Sequence, residues 1–480
     1  MTGFDAFAAP GAAGLADLER VDFTAGGVCV SSPALAESDI LRIASVLASA
    51  GEAIRGRPAA DIASVLGRVG ARFTDDRDPI RRRALELLPD TSGLSGPMAR
   101  EVLAGMARDW TEPALLALLR ADLGDPAVLD RFTSVAGRRV MAVGPRLCVQ
   151  IVAGSVPGVG VSALLRSLLV KAPTLIKPGR GDVVLPVLFA EALRAEDPAL
   201  ADTLGVVYWP GGSETLERAA VSAAEVVVAY GSDRTVAALR DLCPATTRLV
   251  GYHHRLSVGA VGRLALTESA IERTADEVAR SVAVFDQRGC VSPHVILVDA
   301  SGDIGPELFA RRLGAAFERL EASLPSGRLE IEEAAALHQL RGTAELLAAT
   351  GSGEVVHGGT SGTWTVLFEQ RGGALEPAVG RVVRVRSFRH VSEVVALLEP
   401  VGAHLQTLGV AGFGDMLEAL AAACGRIGVT RVAGFESVPY PPARWYHDGR
   451  PPIGELVRWV EVEGGESPRI ESDPMTRPIR

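Results

Sequence analysis

The sequence has few cysteines and few aromatic residues for its length. Its 480 residues include only five cysteines, and no two of them form a CxxC pair. This scatter argues against a disulfide framework or a cysteine-based zinc site, and it favours a cytoplasmic protein with free thiols. Aromatic residues make up 5% and hydrophobic residues 48% of the chain. A core built mainly from Ala, Val and Leu suits an α/β enzyme with buried parallel strands better than a β-sandwich.

Long apolar runs and charge blocks are also missing. No stretch approaches the roughly 20 uninterrupted apolar residues of a membrane-spanning helix. The N-terminus has no basic start followed by an apolar block, so no signal peptide is predicted. The formal net charge is -9 and the charge runs are short and mixed. We therefore expect neither nucleic acid nor a membrane surface as a partner.

The pattern of hydrophobic residues divides the chain into four regions. Residues 1–130 are predicted to be helical, with a helix in SDILRIASVLASAGEAIRG from Ser38. Residues 131–265 alternate short β-branched runs with amphipathic segments, which predicts a parallel, doubly wound sheet. Residues 266–435 repeat this alternation as a second α/β unit. Residues 436–480 form a Pro-rich C-terminal arm in which LVRWVEVE is predicted to be a strand.

One cysteine lies in a segment typical of a reactive turn. Cys290 lies in FDQRGCVSP, between a long predicted helix and a predicted buried strand. A nucleophilic cysteine needs a sharp turn that directs its sulfur into a cavity. Gly289 provides a permissive backbone and Pro293 ends the turn. On these residues alone a buried structural cysteine is an equally good interpretation, because free cysteine is often a small core residue.

A glycine-rich turn follows the first predicted strand of the parallel sheet. In AGSVPGVGVSA, the residues Gly158, Gly160 and Ala163 match a dinucleotide-binding fingerprint, and Asp182 is at a suitable distance for a ribose contact. The match is weak, and IKPGRGD offers a competing cofactor site. No Lys-Ser/Thr pair is present there, which argues against a Walker-type nucleotidase.

Two cations and two histidines are the other polar candidates. Lys177 and Arg180 lie where a parallel strand ends, which suits nucleotide phosphates, although a solvated strand end explains them as well. His253 and His254 in GYHHR include a candidate general acid or base. No third ligand has suitable spacing, so no metal site is predicted there.

Taken in order, these segments resemble the LuxC-like acyl-CoA reductases, a branch of the aldehyde dehydrogenase superfamily. The similarity covers most of residues 88–452, and the motifs that carry it are LPDTSGLSGPMAREVLAG, VAGSVPGVGV, LLVKAPTLIKPGRGD, VVVAYGS, GYHHRLSVG, FDQRGCVSPHVI, HLQTLGV and VPYPPARWYHDGRPP. The resemblance implies an aldehyde-dehydrogenase-like fold: two doubly wound α/β domains, a helical N-terminal region and a C-terminal strand arm. Residues 131–265 would bind the nicotinamide cofactor, and residues 266–435 would be the catalytic domain. A homodimer or homotetramer is also implied.

The resemblance further implies that an acyl thioester is reduced to the aldehyde through an acyl group on Cys290. The backbone N–H of Cys290 would form half of an oxyanion hole, and Ser155 stands where the family usually has the asparagine that completes it. The glycine-rich turn would line the catalytic cavity. Aldehyde-oxidising relatives have a water-activating glutamate where this sequence has VGYHHRLSVG, which contains no carboxylate. This absence favours reduction over oxidation, with His253 or His254 as a candidate for proton transfer.

For the cofactor, the resemblance implies that Lys177 contacts the adenosine ribose and that Gly231 and Ser232 lie near the adenosine or pyrophosphate. NAD-preferring relatives commonly have a glutamate at the position of Arg180. A guanidinium there binds a 2′-phosphate, so NADPH is the expected cofactor.

Two alternatives remain open on the sequence. One is a CoA-acylating aldehyde dehydrogenase that works mainly in the oxidative direction. The other is a nucleotide-binding scaffold or acyl-carrier partner with little turnover, for which the serine at position 155 is the argument. For the reductase, the expected substrate is an acyl group on coenzyme A or on another carrier.

Overall fold

The computed structural model describes residues 2–15, 17–152, 154, 156–351, 353–357, 362–370, 375, 377–378 and 380–463. The α-helices of this part are α1 (Glu37–Arg55), α2 (Ala59–Arg72), α3 (Pro79–Ser92), α4 (Gly96–Ala107), α5 (Glu112–Leu123), α6 (Val159–Leu169), α7 (Val184–Glu196), α8 (Pro198–Ala201), α9 (Glu214–Ala223), α10 (Asp233–Leu242), α11 (Ile271–Ala283), α12 (Pro306–Glu321), α13 (Ile331–Ala349), α14 (Val391–Leu398) and α15 (Leu417–Arg426). Within the described ranges, no helix is both long and apolar enough to cross a bilayer.

The strands are β1 (Thr2–Asp5), β2 (Arg20–Ala25), β3 (Val28–Pro33), β4 (Thr133–Val135), β5 (Arg138–Val143), β6 (Cys148–Val152), β7 (Thr174–Lys177), β8 (Leu204–Val206), β9 (Val226–Tyr230), β10 (Arg248–Tyr252), β11 (Leu256–Val261), β12 (Pro293–Asp299), β13 (Gly353–His357), β14 (Thr365–Glu369), β15 (Val382–Phe388), β16 (Leu405–Ala411), β17 (Arg431–Gly434) and β18 (Arg458–Val462). They form four sheets in the described part of the chain.

The first large sheet is parallel and covered on both faces. Its strand order is β10-β9-β6-β7-β8, and every neighbouring pair is parallel. All five residues of β9 are buried. Val226, Val228 and Tyr230 pack in one hydrophobic cluster, whereas Val227 and Ala229 pack in another on the opposite face. The predicted doubly wound sheet is confirmed, and the continuous apolar run VVVAY is what a strand buried on both faces requires.

The second large sheet carries the predicted catalytic region. Its order is β13-β14-β15-β12-β11-β16-β17, and only β13 pairs in antiparallel fashion. The chain crosses from the first sheet to the second between Tyr252 and Leu256. This crossing precedes the boundary expected at residues 265 and 266, because β11 looks on sequence like one more strand of the first sheet.

The N-terminal region is helical only in part. Helices α1 to α5 occupy residues 37–123, but β1, β2 and β3 form a small sheet before them. The prediction of helix is therefore wrong for the residues of these three strands. Gly26 and Gly27 separate the antiparallel strands β2 and β3, and Gly26 has a φ of 56°. A two-residue glycine turn between β-branched segments is a hairpin signal, and it explains the difference.

The predicted C-terminal strand is present. β18 pairs with β5, which in turn pairs with β4, and both pairings are antiparallel. This sheet ties residues 458–462 to the chain just before the first large sheet. The expected C-terminal strand arm is confirmed for the residues that the structure describes.

Candidate active site

Cys290 lies in a tight turn between α11 and β12. Three consecutive residues before it, Phe285, Asp286 and Gln287, have positive φ angles of 63°, 49° and 63°. The sharp backbone thus depends on these residues rather than on Gly289. At Gly289 a Cβ atom would come within 2.9 Å of Phe285 Cδ2, so glycine is needed there for space. Pro293 is the first residue of β12, as predicted.

Buried polar contacts hold this turn in place. Left-handed backbone at a non-glycine residue costs of order 1–3 kcal/mol and persists only where the surroundings determine it. Arg381 donates two hydrogen bonds to Asp286 Oδ1, at 3.0 Å from Nε and 2.8 Å from Nη2. The Gln287 side chain accepts a hydrogen bond from Val382 N at 2.8 Å and donates one to the carbonyl of the same residue. Strand β15 therefore fixes the backbone that presents Cys290.

The thiol of Cys290 faces a small charged network. Gln406 lies beside the thiol and donates to Asp448 Oδ1 at 2.7 Å, and Asp448 Oδ2 lies 2.9 Å from Arg255 Nε. Burial, followed by the charge of Asp448, raises the pKa of Cys290 to about 11, although Gln406 and Arg255 act in the opposite direction. The residue is exposed, but it opens into a cavity whose walls replace most of the bulk water around the sulfur. The Cys290 thiol is therefore neutral at physiological pH.

Cys290 lines a cavity of about 160 Å³. Most of its wall is apolar and comes from α4 and α5, from α6, from the turn at Cys290 and from the segment after β17. The apolar residues are Met106, Trp110, Leu115, Leu118, Val156, Val159, Leu165, Phe285, Val291, Pro439, Tyr440, Pro441, Ala443 and Trp445. A thioester carbon held at the sulfur would therefore have its apolar substituent in an apolar environment.

His447 is the histidine in this cavity wall. Its ring stacks on Tyr252 at 4.2 Å and on Trp445 at 4.7 Å between centroids. Burial, together with the nearby Arg166, holds the pKa of His447 well below its usual range, so the ring is neutral at physiological pH. Its Nδ1 is buried and has no hydrogen-bond partner among the described residues. An imidazole with so low a pKa can donate one N–H to a carbonyl oxygen but is a weak base.

The predicted general acid or base residues lie elsewhere. Neither His253 nor His254 is among the residues that line the cavity of Cys290. Both lie in the crossing between β10 and β11. There His253 Nδ1 is 3.4 Å from Asp233 Oδ1, and the backbone N–H of His254 donates to the same oxygen. The fold also brings His404 to this carboxylate, which supplies the neighbours that sequence spacing did not reveal.

Two of the predicted cofactor residues lie at the carboxyl end of β7. The Lys177 side chain is only 8% exposed, and its Nζ lies 5.7 Å from the centre of the Tyr208 ring. Burial lowers the pKa of Lys177, although the charge of Glu217 acts in the opposite direction, and no described carboxylate lies within ion-pair distance of its Nζ. The guanidinium of Arg180 lies over Phe23 and donates to the Thr24 carbonyl at 2.6 Å. A buried ammonium without a counter-ion fits a ligand rich in hydroxyl or phosphate oxygens.

Gly231 and Ser232 lie at the predicted helix start. Ser232 caps α10, and its Oγ accepts a hydrogen bond from Thr235 N at 3.2 Å. Backbone N–H groups at such a terminus suit phosphate oxygens.

The glycine-rich turn does not form a dinucleotide fingerprint with Asp182. The Asp182 carboxylate is buried and accepts hydrogen bonds from Gly158 N at 2.8 Å and Gly160 N at 2.7 Å, so it caps α6. It is therefore not free for a ribose. Ser155, the predicted oxyanion-hole residue, lies outside the described residues. Its neighbour Gly154 approaches Gly179 so closely that a Cβ on Gly154 would lie 2.8 Å from Gly179 Cα.

The sequence matches the model of one protein family over most of its length. The model described as acyl-CoA reductase (LuxC) matches residues 57–459. The chain belongs to the acyl-CoA reductase (LuxC) family. This reductase converts acyl thioesters to aldehydes. It is 25% identical to the long-chain acyl-protein thioester reductase of Aliivibrio fischeri over 84% of this chain and 82% of that protein. It is 23% identical to the enzyme of that name from Vibrio harveyi, with the same coverage.

Solved structures place the reductase in the aldehyde dehydrogenase fold. An NAD-dependent aldehyde dehydrogenase from Sinorhizobium meliloti has a TM-score of 0.70 at 16% identity, covering 94% of this chain and 93% of that one. An NADP-dependent glyceraldehyde-3-phosphate dehydrogenase from Bacillus halodurans has a TM-score of 0.69 at 14% identity, covering 92% and 95%. The predicted fold class and family are both confirmed.

Sequence reasoning missed the polar residues around the thiol. Gln406 lies in HLQTLGV, Arg255 in GYHHRLSVG, and both His447 and Asp448 in RWYHDGRPP. These segments carried the family resemblance, but no spacing rule connects them to Cys290. Only the position of these four residues in motifs that carry the family resemblance indicated a role for them.

The pH dependence of thiol reactivity tests this network. Asp448→Asn removes a negative charge that disfavours the thiolate, so the pKa of Cys290 should fall. Each unit of that fall raises the alkylation rate at pH 8 about tenfold, because the thiolate is the reactive form. The measurement is the rate of iodoacetamide labelling of the Cys290 peptide from pH 6 to pH 10. Asp109→Asn is the matched control, since Asp109 lines the same cavity without contributing to this pKa. A folded Asp448→Asn variant with an unchanged pH profile would contradict the network.

Proposed function

We propose that the reductase transfers the acyl group of a long-chain thioester to Cys290 and reduces it there with NADPH. The observation that carries this proposal is the position of the thiol at an apolar cavity, next to Gln406 and two arginines. Arg255 and Arg431 both lower the energy of a negative charge on the sulfur. No other cysteine in the described ranges lines this cavity.

The chain length of the substrate is proposed from the cavity wall. The wall is formed by aliphatic and aromatic side chains from four segments, and burying each CH₂ group of an acyl chain contributes about 0.8 kcal/mol. The relatives from Aliivibrio fischeri and Vibrio harveyi are long-chain acyl-protein thioester reductases by name. Both points support a long acyl chain, delivered on coenzyme A or on a carrier protein.

Acyl transfer in this proposal begins with loss of the Cys290 proton. The sulfur then attacks the thioester carbon, a new C–S bond forms, and the carrier leaves as a thiol after taking up a proton. The backbone N–H of Cys290 donates to the acyl oxygen, and the apolar wall excludes water from the new thioester. After reduction, the hydroxyl of the Cys290 thiohemiacetal loses its proton, the C–S bond breaks, and the aldehyde leaves.

The cofactor is proposed from the residues at the carboxyl end of the first sheet. When bound, the reduced nicotinamide supplies the two electrons that convert the acyl group to an aldehyde. Lys177, buried and without an ion pair in the described residues, would bind the ribose hydroxyls. Arg180 would bind the 2′-phosphate, and the terminus capped by Ser232 would bind the pyrophosphate. The homodimer or homotetramer expected from the resemblance stays a prediction.

Acylation of Cys290 is the direct test of this function. Incubation with a long-chain acyl-CoA in the absence of nicotinamide should add one acyl mass to the peptide that contains Cys290. Cys290→Ala should abolish both this adduct and aldehyde formation, because it removes the nucleophile with little change in volume. Cys243→Ala is the matched control and should keep both, since Cys243 is half-buried outside the cavity. An adduct that persists in Cys290→Ala would refute the assignment.

Cofactor preference tests the role of Arg180. A charged hydrogen bond is worth about 1.5–3 kcal/mol, so Arg180→Glu should lower kcat/KM for NADPH roughly tenfold to 150-fold and shift the preference toward NADH. Arg180→Met should lose NADPH affinity without gaining affinity for NADH, because it offers no carboxylate to the ribose. The measurement is kcat/KM for both cofactors. Equal use of NADH and NADPH by the unmodified enzyme, or an unchanged ratio in Arg180→Glu, would show that Arg180 has another role.

A further inference from the structure

Three side chains with metal-binding atoms meet at the junction of the two large sheets. Asp233 is the first residue of α10, His253 lies in the crossing from β10 to β11, and His404 directly precedes β16. One ligand atom from each lies within 4.8 Å of the others. Asp233 and His253 follow strands of the first sheet, whereas His404 leads into the second. The junction cluster, as we name these three residues, thus spans both α/β units.

The distances in the junction cluster suit a small cation. Asp233 Oδ1 lies 3.4 Å from His253 Nδ1, and Asp233 Oδ2 lies 3.9 Å from His404 Nδ1. Zinc bonds to nitrogen and oxygen of about 2.0–2.2 Å in a tetrahedron place neighbouring ligand atoms roughly 3.3–3.6 Å apart. The two carboxylate–imidazole distances are therefore close to those around a shared ion, and all three ligand atoms lie within 4.8 Å of one another.

The backbone around the junction cluster orients its ligands. The N–H of His254 donates to Asp233 Oδ1 at 3.2 Å, and the carbonyl of His254 lies 3.3 Å from His404 Nδ1. A cation bound to Nδ1 would replace the second of these contacts and keep the first. Hydrogen bonds to a ligating carboxylate are the usual outer support of a metal site.

The solvent exposure of the three side chains indicates which kind of metal site the junction cluster would form. The side chains of Asp233, His253 and His404 are 57%, 35% and 40% exposed, so an ion reaches them from solvent and keeps a water or other ligand in its fourth position. Two imidazoles and one carboxylate match zinc and similar transition-metal cations rather than magnesium or calcium, which prefer oxygen.

We propose that the junction cluster binds one zinc ion and thereby ties the two α/β units together. Ligands from both units lose their independent motion when they share an ion. The junction cluster is close in sequence to the charged network around Cys290, because Gln406 follows His404 by two residues and Arg255 follows His253 by two. A bound ion would therefore hold the segments that carry Gln406 and Arg255. The proposal rests on the junction cluster alone and does not depend on the acyl transfer proposed above.

Zinc binding is measured in the Cys290→Ala variant, so that the accessible thiol does not compete for the metal. Competition with a chromophoric chelator at pH 7.5 should show one tightly bound zinc per chain. His404→Ala and Asp233→Asn, each added to this background, should weaken zinc binding at least tenfold. His338→Ala is the matched control and should leave it unchanged, because His338 is an exposed histidine on α13, outside the junction cluster.

Thermal melting gives a second readout. Zinc should raise the melting temperature of the Cys290→Ala protein and of its His338→Ala derivative, but not that of the His404→Ala derivative. Absence of stoichiometric zinc in the parent, or equal affinity in the folded His404→Ala and Asp233→Asn derivatives, would overturn the proposal. These readouts need neither cofactor nor thioester.

Discussion

The buried ion pair between Arg381 and Asp286 is the contact on which the geometry of this site depends. Arg381 is 1% and Asp286 4% exposed in their side chains, and Arg381 also reaches Glu321 Oε2 at 2.8 Å. Removing one member of such a pair typically costs about 3–5 kcal/mol, because the other charge is left buried and unpaired. Here the pair fixes three successive left-handed residues that no local preference would stabilise. The catalytic turn is thus determined by a strand nearly a hundred residues later in the chain.

Two opposite environments meet at the sulfur of Cys290. On one side lie Gln406, Arg255 and Asp448, and on the other lies an apolar wall. The apolar side favours a neutral thiol and would keep water away from an acyl-enzyme, whereas Gln406 and Arg255 on the polar side support negative charge on the sulfur when it develops. Such a combination suits acyl transfer from one thiol to another, since the new thioester has no charge and is best preserved away from water. The lowered pKa of His447 makes this ring a weak base, which is consistent with a site that does not activate water.

The parts of the structure that sequence predicts are those with local patterns. VVVAY predicts a buried parallel strand by its apolar run, and QRGC predicts a turn by its glycine and its place between a helix and a strand. The network around Cys290 could not be predicted in this way, because the pairing of β11 with β16 brings Arg255 and Gln406 together, and Asp448 comes from a turn after β17. The proximity of Asp233 and His404 to His253 could not be predicted either, since these neighbours come from α10 and from the residue before β16. The N-terminal strands were missed because the glycine pair between them was not interpreted as a hairpin turn.

The fate of the acyl group on Cys290 tests the central claim most directly. General-base assistance to water is typically worth about 10²–10⁴-fold, and the GYHHR segment offers no carboxylate for it. The measurement is the decay of the isolated acyl-enzyme, free of excess thioester, with and without NADPH. The account predicts a long-lived thioester that NADPH discharges as aldehyde. Rapid release of free fatty acid without any cofactor would contradict it and would indicate that the site hydrolyses its acyl-enzyme.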